Sequence, residues 1–208
     1  MPVAAAIMIF VAGLFDFFDG FTARLLDAHS PIGGDLDSLS DVVSFGVAPG
    51  MIMYHVICDS ITAPIWPVAG IDLFACFAFL LPVFSAVRLA KFNVDTRQTV
   101  SFIGLPTPPM AIFMASLPLA FWQKGVLGQA VLNPYLCLGI VLLFSFMMVC
   151  NRGFFSFKMK SVKWNGNEIR WIFLAVAIVS FAIFRFVALP FVLLFYILLS
   201  ILFVSKPD

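Results

Sequence analysis

Residues 171–204 read Trp171-Ile-Phe-Leu-Ala-Val-Ala-Ile-Val-Ser-Phe-Ala-Ile-Phe-Arg185-Phe-Val-Ala-Leu-Pro190-Phe-Val-Leu-Leu-Phe-Tyr-Ile-Leu-Leu-Ser-Ile-Leu-Phe-Val204, with Arg185 as the single charge. About 20 apolar residues in a helix cross the ~30 Å hydrocarbon core of a bilayer. This run is too long for one span and too apolar for a soluble surface. Arg185 and Pro190 interrupt it, so it predicts a hairpin of two membrane helices, Trp171–Phe184 and Val187–Val204. Working outward, five more apolar segments precede it: Pro2–Phe18, Val42–Cys58, Gly70–Leu89, Pro109–Trp122 and Leu132–Cys150. The expected fold is an all-α polytopic membrane protein of about seven transmembrane helices, one domain over residues 1–208.

Composition says the same. Of 208 residues, 62% are hydrophobic and 11% charged, with mean hydropathy +1.09. A chain of this size cannot bury that excess in a water-facing globule. Disorder, a coiled coil and a disulfide-rich secreted domain are excluded for the whole chain. A net charge of +1 offers no basic field for nucleic acid. Cys58, Cys76, Cys137 and Cys150 show no metal-binding spacing and read as buried thiols. The N-terminal apolar run lacks a basic leader and passes straight into acidic sequence, so it reads as a retained span.

Lysine and arginine set an orientation. With seven spans, Arg24, Arg88, Lys91, Arg97, Arg152, Lys158, Lys160, Lys163, Arg170 and Lys206 fall on one side. Only Lys124 and Arg185 fall on the other. This bias puts the C-terminus and the loops after the first, third and fifth spans in the cytoplasm. The basic loop 151–170 reads as an anchor on that side, or as a surface for anionic lipid.

Six of the 11 acidic residues lie between Asp16 and Asp41. Asp16 and Asp19 share a helical face, which Gly20, Ala23 and Arg24 continue. Gly33, Asp37 and Asp41 are spaced i, i+4, i+8 on the next helix. The short connection 27–32 makes the two helices antiparallel neighbours, so four carboxylates converge near the cytoplasmic boundary. Arg24 supplies one compensating charge, which is too few. A divalent metal site, with one ion or two, resolves the repulsion, and oxygen ligands favour Mg²⁺, Mn²⁺ or Ca²⁺ over zinc. Gly20, Ala23 and Gly33 leave room for a ligand against the backbone, or let the helices pack closely.

Asp16-Phe-Phe-Asp19-Gly20-Phe-Thr-Ala23-Arg24, eight residues, Gly33, three residues, Asp37, three residues and Asp41 resemble the signature of the CDP-alcohol phosphatidyltransferases. All eight fixed positions are met. A chance match at one starting point is on the order of 10⁻¹⁰ at ordinary residue frequencies, so the signal is strong. The segments 36–49, Arg88-Leu-Ala-Lys91-Phe-Asn93 and Gly104-Leu-Pro-Thr-Pro-Pro109 resemble the phosphatidylserine synthase branch. The likeness is most specific from Gly13 to Pro109. Family members usually carry a membrane helix before the first motif helix, whereas Met1 lies 15 residues before Asp16. The expectation is a family-type bundle lacking its first helix.

The resemblance implies transfer of the phosphatidyl group from CDP-diacylglycerol to L-serine, releasing CMP. It implies Asp16, Asp19, Asp37 and Asp41 as ligands of Mg²⁺ or Mn²⁺, with Asp41 also the candidate base. Gly20, Ala23 and Gly33 would line the CMP moiety, and Arg24 would hold a phosphate or orient a carboxylate. Arg88 and Lys91 would bind phosphate or the serine carboxylate, or simply anchor the third span. A homodimer in a bacterial cytoplasmic membrane is expected, with its active site facing the cytoplasm. The rival readings are a relative with a glycerol-phosphate, inositol-phosphate, choline or ethanolamine acceptor, and a divalent-cation transporter. A transporter predicts acids spread through the bilayer depth, not clustered at one boundary.

Overall fold

The computed structural model describes residues 2–27, 30–94, 102–122, 133–154 and 168–203. Among these, seven helical rods follow one another, as the apolar segments predict. The first is α1 (Pro2–Leu25). The second joins α2 (Pro31–Val42), a π-helical segment Val43–Val47 and α3 (Ala48–Ser60). The third joins α4 (Leu73–Cys76), a 3₁₀ turn Phe77–Phe79 and α5 (Leu80–Val94). Then come α6 (Thr107–Trp122), α7 (Pro134–Val149), α8 (Glu168–Phe184) and α9 (Ala188–Phe203). The continuous stretches Val3–Ala23, Ile32–Ser60, Leu73–Val94 and Arg170–Leu202 are long and apolar enough to span a membrane. Helices α6 and α7, of 16 residues each, are about 24 Å long at 1.5 Å per residue.

The second rod is longer than its apolar segment, as the helical spacing of Gly33, Asp37 and Asp41 requires. The apolar segment begins at Val42, but the helix begins at Pro31. Local capping explains the difference. Ser30 sits in extended geometry and its Oγ accepts from Gly33 N–H at 3.0 Å, with proline at the first helical position. The rod therefore projects its polar first turns beyond its apolar length.

Residues 170–202 do not form one straight span. Arg185 adopts φ +52° within a 3₁₀ turn, Arg185–Val187. Phe173, in the first half of α8, stacks on Phe195 at 6.3 Å and meets Tyr196 edge-on at 6.1 Å midway along α9. The two helices thus fold back as an antiparallel hairpin. Pro190 lies in the first turn of α9, where a missing N–H costs nothing.

Helix α6 occupies the centre of the bundle. Met110, Ala111, Met114, Ala115 and Ser116 are fully buried there, and the helix packs against α1, α3 and α9. A helix apolar on all sides belongs in such a place. The outer faces carry exposed Phe18, Phe146, Ile178, Ile183 and Leu202, which suits contact with lipid. Cys137 is buried and Cys58, Cys76 and Cys150 are partly buried; all are free thiols.

One β-hairpin and one long-range antiparallel strand pair link the rods. Strands β1 (Pro67–Val68) and β2 (Ile71–Asp72) turn through Ala69 and Gly70, both at positive φ. Asp72 there accepts from the N–H groups of Ile65, Trp66 and Phe74. Strands β3 (Phe102–Ile103) and β4 (Gly153–Phe154) link the entry to α6 with the exit from α7. Gly104 N–H donates to Arg152 O and Leu105 N–H to Met147 O, each at 2.9 Å. Gly104 has φ +77°, and a Cβ there would collide with the Met148 carbonyl oxygen. Gly104→Ala is therefore expected to cost about 1–3 kcal/mol. A lowered Tm in detergent reads it, against Gly139→Ala, where a Cβ meets nothing within 4 Å.

Candidate active site

Helices α1 and α2 build the site. The chain reverses between them through Asp27, at φ +50°, and their polar faces meet. Asp16, Asp19 and Asp37 present carboxylate oxygens within 4.8 Å of one another, Asp16 partly buried and the other two exposed. Octahedral ligands held about 2.1 Å from an ion lie about 3–4 Å apart. Three all-oxygen donors at this range therefore fit a hard divalent cation. Asp41 stands one turn beyond Asp37 and outside this tightest group. It is partly buried and within hydrogen-bonding reach of Asp16.

A cavity of ≈ 780 Å³ opens over the cluster. Asp16, Asp19, Asp37 and Asp41 line it together with Gly20, Ala23 and Gly33. The seven positions singled out on α1 and α2, Arg24 apart, thus face one space. The Arg24 backbone belongs to α1, but its side chain lies outside the described residues, as does His29. His55 packs its ring against Tyr54 at 5.7 Å on α3, and neither it nor Asp27 and Asp35 lines the cavity.

The two cations on α5 separate. Arg88 is buried, at 6% exposure. Its guanidinium lies 5.0 Å from the centre of the Phe92 ring, and Nε has no hydrogen-bond partner among the described residues. Its charge acts on Asp41 from across the helix interface. Lys91, one turn on, is exposed. Neither residue lines the cavity, so Arg88 stands behind Asp41.

The close approach of α5 has a cause that sequence reading passed over. Gly46 and Gly50 form a small-x-x-x-small pair on the π-helical segment and α3. A Cβ on Gly46 would lie 3.0 Å from Ser85 Cβ, and one on Gly50 would lie 2.9 Å from Pro82 Cδ. Backbone contact of this kind is how membrane helices pack without side-chain bulk. The π-helical segment begins two residues after Asp41, and such widened turns recur at functional sites. Sequence reading also missed Ser30, Gly34, Ser40, Ser44 and Phe45 as cavity wall. Ser40 and Ser44 each follow an aspartate by three residues, a helical-face signal that was available.

The family model for CDP-alcohol phosphatidyltransferases matches residues 1–149. The chain belongs to the CDP-alcohol phosphatidyltransferase family. The match covers α1 through α7, hence every acidic residue of the cavity and Arg88. The chain is 33% identical over 168 residues to a CDP-diacylglycerol–serine O-phosphatidyltransferase of Bacillus subtilis, covering 78% of this chain and 84% of that protein. It is 34% identical over 165 residues to the protein of that name from Helicobacter pylori, covering 78% of this chain and 64% of the relative. An archaetidylserine synthase of Methanothermobacter thermautotrophicus is 36% identical over 124 residues, 56% of this chain and 46% of the relative. The segments 88–93 and 104–109 lie on helix α5 and at the β3–α6 junction.

Proposed function

We propose that this chain transfers the phosphatidyl group of CDP-diacylglycerol to the hydroxyl of L-serine, giving phosphatidylserine and CMP. The observation that carries the reading is the convergence of Asp16, Asp19 and Asp37 on one cavity walled by Gly20, Ala23 and Gly33. The named function of the relatives supports serine as the acceptor. Asp16, Asp19, Asp37 and Asp41 would hold one or two Mg²⁺ or Mn²⁺ ions. A bound divalent ion supplies charge neutralisation of the diphosphate and of the departing CMP.

The chain's own residues do the rest. Gly20, Ala23 and Gly33 bring the backbone close to the CMP moiety, where larger side chains would fill the space. Arg24 holds a phosphate or orients a carboxylate. The serine hydroxyl attacks the β-phosphorus, a new P–O bond forms, and the bond to CMP breaks. The hydroxyl proton passes to Asp41, which needs one carboxylate oxygen free of a ligand role. Arg88 is buried near Asp41 and off the cavity wall, so the serine carboxylate would meet it only where the acceptor enters between α2 and α5. Lys91 would add longer-range attraction for anions. The ten-to-two bias of basic residues supports a cavity facing the cytoplasm of a bacterial inner membrane, where serine and CMP exchange with water. The family resemblance implies a homodimer within the bilayer.

The deciding assay is CMP release from CDP-diacylglycerol in detergent, with L-serine, glycerol 3-phosphate and inositol phosphate as acceptors. Serine-dependent release is the expected result. Turnover with another acceptor only would keep the chemistry and overturn the acceptor. Silence with all three, also in a chain extended upstream in the gene, would overturn the enzyme reading. Arg88→Ala is expected to raise the KM for serine about 10- to 100-fold through loss of a charged hydrogen bond, with the KM for CDP-diacylglycerol little changed. An equal rise in both would remove Arg88 from the acceptor subsite.

A further inference from the structure

Helix α2 carries two of the four site carboxylates yet has little to hold it. None of its described side chains is fully buried, and Ile32, Leu36 and Leu39 are 78%, 61% and 64% exposed. Apolar packing therefore does not set the rotation of α2 about its own axis. Its base is the π-helical segment Val43–Val47, where one widened turn already shifts the register of the rod. A rotation of some tens of degrees here would swing Asp37 and Asp41 away from α1.

One polar tie crosses to this helix from a distant part of the chain. Asn93 Nδ2 on α5 donates to Ser38 Oγ at 2.9 Å, across 55 residues of sequence. Ser38 adjoins Asp37 and lies three residues before Asp41, so the tie grips α2 between its two carboxylates. Helix α5 is itself fixed to the rod below by the close contacts at Gly46 and Gly50. The amide and the hydroxyl can each donate or accept, so the tie survives either orientation of the amide.

We propose that Asn93 is a positioning residue: its hydrogen bond to Ser38 sets the rotation of α2 and so places Asp37 and Asp41 against Asp16 and Asp19. The proposal rests on the reading of these carboxylates as a divalent-cation site. It gives Asn93 a role that touches neither substrate nor metal.

A double-mutant cycle tests it, using Ser38→Ala, Asn93→Ala and the pair. Mn²⁺ affinity is read from the EPR signal of the free ion with the detergent-solubilised protein, and CMP release is read in parallel. Each single variant is expected to weaken Mn²⁺ binding about 3- to 10-fold, the scale of one hydrogen bond. The double variant should be no weaker than the worse single, Ser38→Thr should bind as the unaltered chain does, and serine KM should stay within about twofold. Additive losses would overturn the proposal. So would a loss in Asn93→Ala with none in Ser38→Ala, which would put Asn93 on a ligand directly. A lowered Tm with unchanged Mn²⁺ affinity would also overturn it, leaving a structural tie only. Asp37→Asn serves as the control. If it leaves Mn²⁺ binding intact, the cation-site reading fails; if it abolishes binding while the cycle is silent, only the positioning role fails.

Discussion

Asp41→Asn is expected to lower serine-dependent CMP release by about 10³-fold or more while the protein still folds and extracts in detergent. Asparagine keeps the size of the side chain and its place beside Asp16 and Arg88. It removes the ability to take a proton, worth about 10²–10⁴-fold for a positioned general base, together with one anionic metal donor. Folding should survive, because the substitution leaves no cavity and relieves repulsion with Asp16. CDP-diacylglycerol binding should change little, since Asp16, Asp19 and Asp37 form the tighter group. The measurement is kcat at saturating serine alongside binding of CMP by the inactive protein. Retention of more than a tenth of the activity would take the base role away from Asp41.

Removal of divalent ions should produce a comparable loss, and it carries a second signature in stability. EDTA is expected to abolish CMP release, with recovery on adding Mg²⁺ or Mn²⁺. Three carboxylates within 4.8 Å repel one another when no cation lies between them. At about 4 Å each pair costs between about 1 kcal/mol in water and about 4 kcal/mol at the effective dielectric of a protein surface. The exposure of Asp19 and Asp37 favours the lower end. Asp19→Asn should therefore raise Tm relative to the unaltered chain in EDTA and lower it in Mn²⁺. The sign change between the two conditions is the test. A Tm shift of one sign in both would mean that the cluster does not hold an ion.

Both expectations rest on residues that the sequence exposes by spacing alone. The positions 16, 19, 20 and 23 on one helix and 33, 37 and 41 on the next follow helical periodicity, and a short connection forces the two helices together. The same local logic located the seven rods and the break at Arg185. It failed where long-range packing decides. The reading treated Arg88 and Lys91 alike, as neighbours three residues apart. The fold buries one behind Asp41 and leaves the other exposed, because Gly46 and Gly50 draw α5 against the rod along one line only. The polar start of the second rod lies outside the apolar segment, and carboxylate spacing rather than hydropathy revealed it. Ser30 before Pro31 is a further helix-start signature that the reading did not use.

Composition and motif spacing are enough to determine a helical membrane protein with an acidic pair of helices and a place among the CDP-alcohol phosphatidyltransferases. These properties depend on transfer to lipid and on periodicity within single helices, both of which are local. Tertiary structure alone decided that α6 is the buried centre, that the β3–β4 strand pair ties the entry to α6 to the exit from α7, and that Asn93 reaches Ser38. A helix apolar on every side carries no phase to say which face meets which neighbour. That choice is made by backbone approach at glycines and by a few polar ties between segments far apart in the chain.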